Sequence, residues 1–352
     1  MKAVDGDALL DHLRAALRAA RSPYAEAPLE SMADKGLAHH HVRLVGTGAI
    51  ARLPKQSQMG LAAHDNLAYQ AACYQRASAS AAAPRCIALL PPGDVLPRGG
   101  LLVQEIVGRS ARLPDDLPAI ARALAAIHAM PLPAPVQRAP LRDDADPMRA
   151  LRDEIEAQAV HLDGAALDTS ARARIEAQRA ALQRLCTQAP RPPRRLIAFD
   201  AHPGNFLLCD DGRAVLVDLE KARYSHPPLD LAHATLYTST TWDVDVHAEL
   251  TLQQVVDTHA AWAARIDDAA AHQPWLVPLR AAMWLWSVTW CAKWRVLSGR
   301  SARADSAGED WSSDHSDAAL IEHVRARVDD YLSAPIVERI TDEFAALERL
   351  LR

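Results

Sequence analysis

The chain contains 352 residues, of which 49% are hydrophobic and 24% charged, and its formal net charge at pH 7 is -5. This composition is that of an ordinary folded protein and excludes a disordered or fibrous chain. The length predicts two lobes or domains, and the mild charge, without a basic stripe or an acidic tail, argues against nucleic acid or an anionic membrane as the main partner.

The first hundred residues predict a helix followed by a small antiparallel sheet. Residues 7–21 place leucine and alanine on one face at helical spacing, and Ser22-Pro23 ends this helix. The strand candidates are residues 24–32, 37–45 and 49–53, and a Gly46-Thr47-Gly48 turn joins the last two. His39, His40 and His41 do not predict a metal site, because neighbouring strand residues point to opposite faces.

The middle of the chain continues mainly as helices. Residues 65–77 predict a helix, and residues 101–108 are an apolar run that ends in glycine and predicts a strand. A further helix is expected at residues 117–130. Residues 147–188 carry alanine, arginine, glutamate and glutamine at helical spacing and predict two helices.

The stretch from Leu196 to Glu220 predicts a compact hairpin. Two short apolar runs, residues 206–208 and 214–217, flank a polar connection. Asp211-Gly212 in this connection is expected to supply the positive backbone angles of a tight turn. A Pro203-Gly204 turn before the first strand allows the preceding loop to fold back on itself.

Three polar residues meet at one end of this hairpin. Asp200 and Asn205 precede the first strand and Asp218 ends the second. An aspartate followed five residues later by asparagine, and then by an aspartate at a strand end, is the kinase arrangement, in which Asp200 orients the acceptor hydroxyl while Asn205 and Asp218 bind Mg²⁺. Aspartate and asparagine also form turns in Pro-Gly loops. Asparagine occurs only at Asn66 and Asn205, however, which favours the functional interpretation.

Four segments carry a resemblance to a known family. The segments are Asp200-Ala201-His202-Pro203-Gly204-Asn205, Val217-Asp218-Leu219-Glu220, Pro228-Leu229-Asp230-Leu231-Ala232 and Leu124-Ala125-Ala126-Ile127-His128. They resemble the aminoglycoside phosphotransferase and choline kinase superfamily of small-molecule kinases, over roughly residues 40 to 300. One departure concerns the two residues before the catalytic aspartate, where the family has His-Gly and this chain has Ala198-Phe199.

The resemblance implies an α+β, two-lobed protein-kinase-like fold. Residues 1–107 would form the N-lobe, with an antiparallel sheet and a helix that cover the nucleotide. Residues 108–352 would form the larger, mainly helical C-lobe, which holds the catalytic loop, the metal site and the substrate-binding helices. The same resemblance implies that the protein binds ATP, Mg²⁺ and a small hydroxylated substrate.

A kinase N-lobe also carries a cation for the α and β phosphates on its third strand. Arg52 occupies that place, with Lys55 as the second candidate and Lys35 as the third. Gln70 stands on the next helix where the superfamily has glutamate. A glutamine can hydrogen-bond Arg52 but cannot neutralise it, so Arg52 is expected to be free for phosphate oxygens. The alternative is an ordinary solvated arginine at a strand end.

The resemblance places the nucleotide hinge at the end of the apolar run 101–108. Adenine is expected to pair with the main chain near Glu105 and Val107. Further along the chain, Asp230 is expected either to cap its helix or to bind amides of the catalytic loop. The adenine and Asp230 expectations both concern contacts with main-chain groups. The identity of the side chains gives little information about such contacts.

The last part of the chain predicts three helices and a loop. A helix over residues 275–297 carries Trp286, Trp290 and Trp294 four residues apart, and this stripe is expected to pack in the core. An aromatic wall for a cationic substrate is the alternative. Residues 301–317 are expected to form a loop. The final two helices are expected at residues 318–333 and 335–351.

The function predicted from these observations is ATP- and Mg²⁺-dependent phosphorylation of a hydroxyl group on a small molecule. Two alternatives remain. The first is a catalytically weak nucleotide-binding or regulatory module, motivated by Ala198-Phe199 and Gln70. The second is a metal-dependent hydrolase, which would use Asp200, His202, Asp218 and Glu220.

Five widely spaced cysteines without a Cys-x-x-Cys pair predict reduced thiols and a cytoplasmic protein. The charged N-terminal residues do not predict a signal peptide. The longest apolar run, residues 281–292, is too short to predict a membrane span. The sequence does not predict the substrate, the choice between ATP and GTP, or the oligomeric state.

Overall fold

A computed structural model describes residues 6–33, 36–301, 310–312 and 316–351. Lys35 lies outside the described residues, as does much of the predicted loop 301–317. The first hundred residues combine two helices with the strands of one antiparallel sheet, and helices dominate the remainder. No helix in the described ranges is long and apolar enough to cross a lipid bilayer.

The bounds of the elements are as follows. The described strands are β1 (Leu29–Ser31), β2 (His39–Leu44), β3 (Ala49–Pro54), β4 (Cys86–Leu90), β5 (Gly100–Gln104), β6 (Arg109–Ser110), β7 (Arg195–Ile197), β8 (Phe206–Leu208), β9 (Ala214–Leu216) and β10 (Arg223–Ser225). The described helices are α1 (Gly6–Ala19), α2 (Ala63–Ala77), α3 (Leu117–His128), α4 (Pro147–Ala159), α5 (Thr169–Leu185), α6 (Pro228–Thr235), α7 (Tyr237–Thr240), α8 (Leu252–Ala263), α9 (Ala269–His272), α10 (Leu276–Leu297), α11 (Ala318–Tyr331) and α12 (Ala334–Leu350).

The N-lobe sheet has the strand order β1-β2-β3-β5-β4, and all neighbouring strands are antiparallel. Alternate residues of β3 face opposite sides of this sheet. Ala51 and Leu53 pack with Leu13 and Leu17 of α1 in one apolar cluster. Arg52 therefore faces the other side, where it lines a cavity.

The helical lobe is organised around α10. This helix packs against α4, α5 and α6 and against the two final helices, α11 and α12. Its buried residues Leu279, Met283 and Trp284 belong to one core cluster with residues of those helices. A second group of contacts places α3 against α8, β7 and β9, directly behind the catalytic hairpin.

The predicted hairpin is confirmed, with β8 and β9 paired antiparallel. The Cys209 amide donates to the carbonyl of Arg213 over 2.9 Å. Gly212 has a φ of +77° and supplies the positive backbone angle of the turn by itself. β6 adds a third strand on the other edge of β8, and β7 pairs with β10 in a separate two-stranded sheet.

Most predicted helices are confirmed to within a few residues, whereas short strands were missed. Residues 24–32 form a strand only at Leu29–Ser31, because the preceding residues turn, with the Ala27 amide donating to the carbonyl of Tyr24. α8 was also missed, although it begins with a capping box in which Thr251 and Gln254 bond reciprocally.

Candidate active site

A cavity of about 520 Å³ lies between the N-lobe sheet and the catalytic hairpin. Its described lining includes most of the side chains that were predicted to act. The predicted residues in the lining are Arg52, Glu105, Asp200, Asn205 and Asp218, whereas the described lining does not include Lys55 or Val107.

The catalytic loop is held in shape by Asn205. Its side-chain Nδ2 donates to the carbonyl of Asp200 over 2.8 Å. Its main-chain amide donates to the carbonyl of His202, and its own carbonyl accepts from the Val217 amide, both over 2.9 Å. Because Nδ2 is used within the loop, the amide oxygen Oδ1 of Asn205 is the atom suited to a cation.

Asp200 forms a buried ion pair with Lys221, whose Nζ lies 2.6 Å from Oδ2. His233 Nδ1 lies 3.6 Å from the other oxygen, Oδ1. Burial by itself raises the pKa of Asp200, but the charge of Lys221, followed by His233 and His202, lowers it below its ordinary value. Asp200 is therefore ionised at neutral pH, and its Oδ1 is the oxygen not engaged by the ammonium.

Lys221 was not predicted as a site residue. It is one of only five lysines in the chain and lies three residues after Asp218, which was an available signal. Its buried ammonium also lies 5.4 Å from the centre of the Trp286 ring. Asp200 raises the pKa of Lys221 against the opposing effect of burial, so the lysine remains charged.

Arg52 is paired, and the expectation that it is free for phosphate oxygens was wrong. Its Nη2 donates to Oδ1 of Asp218 over 2.8 Å, and its side chain is 4% exposed. Its Nη1 lies 3.3 Å from the carbonyl of Val217. Asp218, at the end of the hairpin, therefore supplies the negative charge that Gln70 cannot supply to Arg52. The sequence-based expectation did not include this contact.

His39 stands between Gln70 and Arg52. Its Nε2 lies 3.1 Å from Oε1 of Gln70, and its Nδ1 lies 3.4 Å from Nη2 of Arg52. Burial, followed by the charge of Arg52, lowers the pKa of His39 well below its ordinary value, so this imidazole is neutral. The two nitrogens thus have separate roles, with Nδ1 as the acceptor facing the guanidinium and Nε2 as the donor to Gln70.

The hard oxygen atoms near the end of β9 suit a divalent cation. Within the described part of the chain, the ligand atoms of His39, Asp218 and Glu220 lie within 4.8 Å of one another. Because Nδ1 of His39 faces Arg52 and Nε2 carries the proton, the oxygen donors are the better ligands. The set predicted for a hydrolase is not brought together, since Asp200 and His202 are not in this group.

The two carboxylates of this group differ in charge. Burial raises the pKa of Asp218, but Arg52 and then His39 lower it below its ordinary value. Burial, followed by the neighbouring Asp218 carboxylate, raises the pKa of Glu220 to about 8. At neutral pH, Asp218 is therefore the ionised carboxylate at the end of the hairpin.

Asp230 binds amides of the catalytic loop, which confirms one of the two roles predicted for it. Its carboxylate accepts from the amides of Ala198 and Phe199, both over 2.7 Å, and from Nε2 of His128 over 3.0 Å. The indole of Trp262 donates to the other nitrogen of His128 over 2.9 Å. This chain thus anchors its loop without the histidine that the family has before the catalytic aspartate.

Residues 33–275 match the model of the phosphotransferase enzyme family. The chain belongs to this family. The predicted superfamily, the two-lobed kinase-like fold and the small-molecule kinase class are thereby confirmed. Comparison with curated proteins finds no significant match.

Solved structures of kinases share the fold of this phosphotransferase. A choline/ethanolamine kinase family protein from Mesorhizobium loti is 16% identical, with 96% of this chain and 99% of that chain covered and a TM-score of 0.58. The ethanolamine kinase of Plasmodium vivax is 12% identical, with 93% and 89% covered and a TM-score of 0.62. Aminoglycoside 2'-phosphotransferase-IIIa, in its GDP complex, is 17% identical, with 95% and 98% covered and a TM-score of 0.55.

The main chain and side chain of Glu105, at the predicted nucleotide hinge, make contacts that the sequence did not indicate. The amide of Glu105 donates to the carbonyl of Gly48 over 2.8 Å, and its carboxylate accepts from Arg43 over 2.7 Å. Val107 is 80% exposed, and its neighbours Ile106 and Gly108 line the cavity. The main-chain amide of Glu105 is thus engaged within the protein.

Lys55 lies away from the cavity of the phosphotransferase. Its Nζ donates to the carbonyl of Gly36 over 3.1 Å and to the hydroxyl of Ser316 over 3.2 Å. These contacts join β3 to the start of the C-terminal helices. The second candidate for the phosphate-binding cation is thus engaged in a contact between parts of the chain that are far apart in sequence.

Aromatic residues line one part of the cavity. Trp286 and Trp290 lie in the lining together with Trp242, whose ring centre is 5.6 Å from that of Trp290. The core-packing prediction is confirmed for Trp286 and Trp294, which are buried members of one core cluster, although Trp286 also lines the cavity. Trp290 is only partly buried and packs against that cluster. Thr238, Ser239, Trp242 and Asp243 also line the cavity and were missed, since no periodic pattern marks residues 236–243.

Proposed function

We propose that the protein transfers the γ-phosphoryl group of ATP, with Mg²⁺, to a hydroxyl group of a small molecule. The observation that carries this proposal is that Asp200, Asn205 and Asp218, the residue types that phosphoryl transfer uses, line one cavity. The family membership supports the same reaction class. One structural neighbour was solved with streptomycin and ATP, and two others with GDP.

In this proposal Asp200 orients the acceptor hydroxyl. Its Oδ2 is engaged by Lys221 at 2.6 Å, so its Oδ1 accepts the hydroxyl proton. The lowered pKa makes Asp200 a weak base, and its main contribution is the alignment of the hydroxyl with the phosphorus atom. His233, next to Oδ1, restricts the directions from which the substrate approaches.

Asn205 and Asp218 would hold the cation. Mg²⁺, when bound, supplies positive charge against the phosphate oxygens. Arg52 is the cation proposed for the α and β phosphates, and it would exchange its present partner Asp218 for them. The carbonyl of Glu105 and the main chain at Val107 are proposed for the base, with residues 1–107 covering the nucleotide and residues 108–352 holding the substrate.

The aromatic part of the cavity suits a substrate with a cationic group or a flat face. Indole faces attract cations and stack against rings. Trp242, Trp286 and Trp290 provide such faces, and Asp243 provides a carboxylate in the same lining. The five cysteines are all free, which supports the proposal of a cytoplasmic location.

The test is a transfer assay with purified protein, labelled ATP, Mg²⁺ and a panel of hydroxylated metabolites that includes choline, sugars, amino acids and aminoglycosides. We expect label to appear on at least one acceptor and to be lost with Asp200→Asn. Nucleotide binding without transfer to any acceptor would support the regulatory module instead. Absence of Mg-ATP binding would overturn the proposal.

A further inference from the structure

Phe199, the residue directly before Asp200, has a left-handed backbone. Its φ is +64°, a conformation that bulky residues rarely adopt, because Cβ crowds the backbone. Its ring is 1% exposed. Such a conformation persists only when surrounding contacts hold it, and strained residues of this kind cluster at functional sites.

Two side chains pack against the Phe199 ring. The guanidinium carbon of Arg223 lies 3.7 Å from the ring centre. The ring of Trp286 meets it edge to face, with centres 5.2 Å apart and planes at 85°. Glu154 joins these two neighbours, since its Oε1 accepts from Arg223 over 2.6 Å and its Oε2 accepts from the Trp286 indole over 3.3 Å. We name Glu154, Arg223 and Trp286 the Phe199 clamp.

The Phe199 clamp also reaches Asp200 by a second route. Nε of Arg223 donates to the carbonyl of Lys221 over 3.2 Å. The Lys221 ammonium in turn holds Oδ2 of Asp200. Arg223 therefore restrains both the residue that precedes Asp200 and the residue that pairs with its carboxylate.

We propose that the Phe199 clamp positions Asp200 for the acceptor hydroxyl. Glu154 and Arg223 act only through Phe199 and Lys221, so they are positioning residues. Trp286 lines the cavity as well, so a substrate lying against its indole contacts the same group that holds the catalytic loop. This inference rests on the proposed kinase function.

Glu154→Gln tests the proposal with little change in shape. The matched control is Glu343→Gln, since Glu343 pairs with the buried Arg280 over 2.6 Å and its side chain is 18% exposed, against 20% for Glu154. We expect kcat to fall by about 10- to 100-fold with Glu154→Gln, because small misplacements of a reacting group are costly, and Mg-ATP affinity to stay within about twofold. The control should retain kcat.

Glu154 also pairs with Arg142, so that contact is tested separately. Arg142→Gln removes it and leaves the Phe199 clamp complete. We expect Arg142→Gln to retain most of the wild-type kcat. A fall equal to that of Glu154→Gln would overturn the assignment to the clamp.

A double-mutant cycle shows whether Glu154 acts through Phe199. Phe199→Leu keeps apolar bulk and removes the ring face. We expect Glu154→Gln to lower kcat by a smaller factor in the Phe199→Leu background than in the wild type, since only the route through Lys221 then remains. Full additivity of the two effects on log kcat would overturn the proposal.

Amide hydrogen exchange gives a readout that does not need catalysis. In Glu154→Gln, we expect the segment 196–206 to exchange faster than in the wild type, whereas Glu343→Gln leaves it unchanged. If the wild type transfers no phosphate, the proposed function is wrong, but the exchange measurement still shows whether the Phe199 clamp restrains this segment. Unchanged exchange in Glu154→Gln would overturn the clamp whatever the activity.

Discussion

The guanidinium of Arg52 and the carboxylate of Asp218 form an ion pair of 2.8 Å that joins the N-lobe sheet to the end of the catalytic hairpin. Both residues were predicted to bind Mg-ATP, one through phosphate and the other through the metal. The ion pair gives each of these two side chains a partner of opposite charge within the protein. In the proposed function, the nucleotide phosphates and the cation therefore compete with this ion pair for Arg52 and Asp218.

Arg52→Ala should weaken Mg-ATP binding and turnover together. A charge-assisted contact is worth roughly 1.5–3 kcal/mol, which corresponds to a loss of about 10- to 100-fold in affinity. Lys55→Ala is the matched control, because Lys55 lies on the same part of the chain and outside the described cavity lining. Calorimetric titration with Mg-ATP measures both. A silent Arg52→Ala with a damaging Lys55→Ala would move the phosphate-binding role to Lys55.

Asp218→Asn should abolish the Mg²⁺ dependence of nucleotide binding. The amide keeps the shape of the side chain but loses the charge that a hard cation requires. The substitution also leaves the buried guanidinium of Arg52 without its carboxylate, so we expect a lower melting temperature. Titration with ATP in the presence and absence of Mg²⁺ separates the two effects. An Mg-ATP affinity equal to that of the wild type would contradict the metal assignment.

Asp200→Asn should lower kcat by about 100-fold or more, because the amide cannot accept the proton of the acceptor hydroxyl. Nucleotide affinity should change little, since the nucleotide is held by other residues. Asp210→Asn, at an exposed position in the hairpin connection, is the control and should retain kcat. Retention of full turnover by Asp200→Asn would remove Asp200 from the catalytic role.

Lys221→Met should shift the acid limb of the pH–rate profile to higher pH. Lys221 is the nearest charge that lowers the pKa of Asp200. Without it, Asp200 takes up a proton at a higher pH and loses the ability to accept the hydroxyl proton there. Lys293→Met, which removes a lysine lying 4.5 Å from the Trp311 ring, is the control. An unmoved acid limb would mean that Lys221 does not control the ionisation of Asp200.

Local patterns account for the parts of the fold that were predicted. The hairpin connection contains its own turn residue, Gly212, and the main helices have strong apolar periodicity. Strands of two or three residues, such as Arg109–Ser110, are too short to show a period and were missed. Long-range pairing is likewise absent from local patterns, so the sequence indicated Lys221 and Asp200 as charged residues without indicating their contact.

The expectations that failed share one cause. Helical spacing places Trp286, Trp290 and Trp294 on one stripe, but it does not show that Trp290 is only partly buried or that Trp286 lies at the boundary between core and cavity. Gln70 was considered as a hydrogen-bond partner of Arg52 because it stands where the superfamily has glutamate. In the structure, His39 lies between the two side chains. In both cases the composition of the opposite surface decides the outcome, and that surface comes from distant parts of the chain.

His259 should make the folded state sensitive to acid. Burial, followed by the charge of Arg280, lowers its pKa to about 3, from an ordinary value of 6.5. Because the unfolded chain binds a proton at His259 more readily than the folded protein does, the unfolded state gains stability as the pH falls from about 6.5 toward 3. The contribution of His259 to the free energy of unfolding should therefore be fully retained above about pH 6.5 and decrease as the pH falls through this range, by up to about 1.4 kcal/mol per pH unit for one such group.

Replacement of the imidazole should remove this part of the pH dependence. In His259→Gln we expect the free energy of unfolding, measured by denaturant titration, to decrease less steeply between pH 6.5 and about 4 than in the wild type, whatever the absolute cost of the substitution. His247→Gln, at an exposed position, is the control and should keep the wild-type slope. Equal slopes for His259→Gln and the wild type would show that His259 is not held neutral, because a buried neutral imidazole must contribute to the proton uptake that accompanies unfolding.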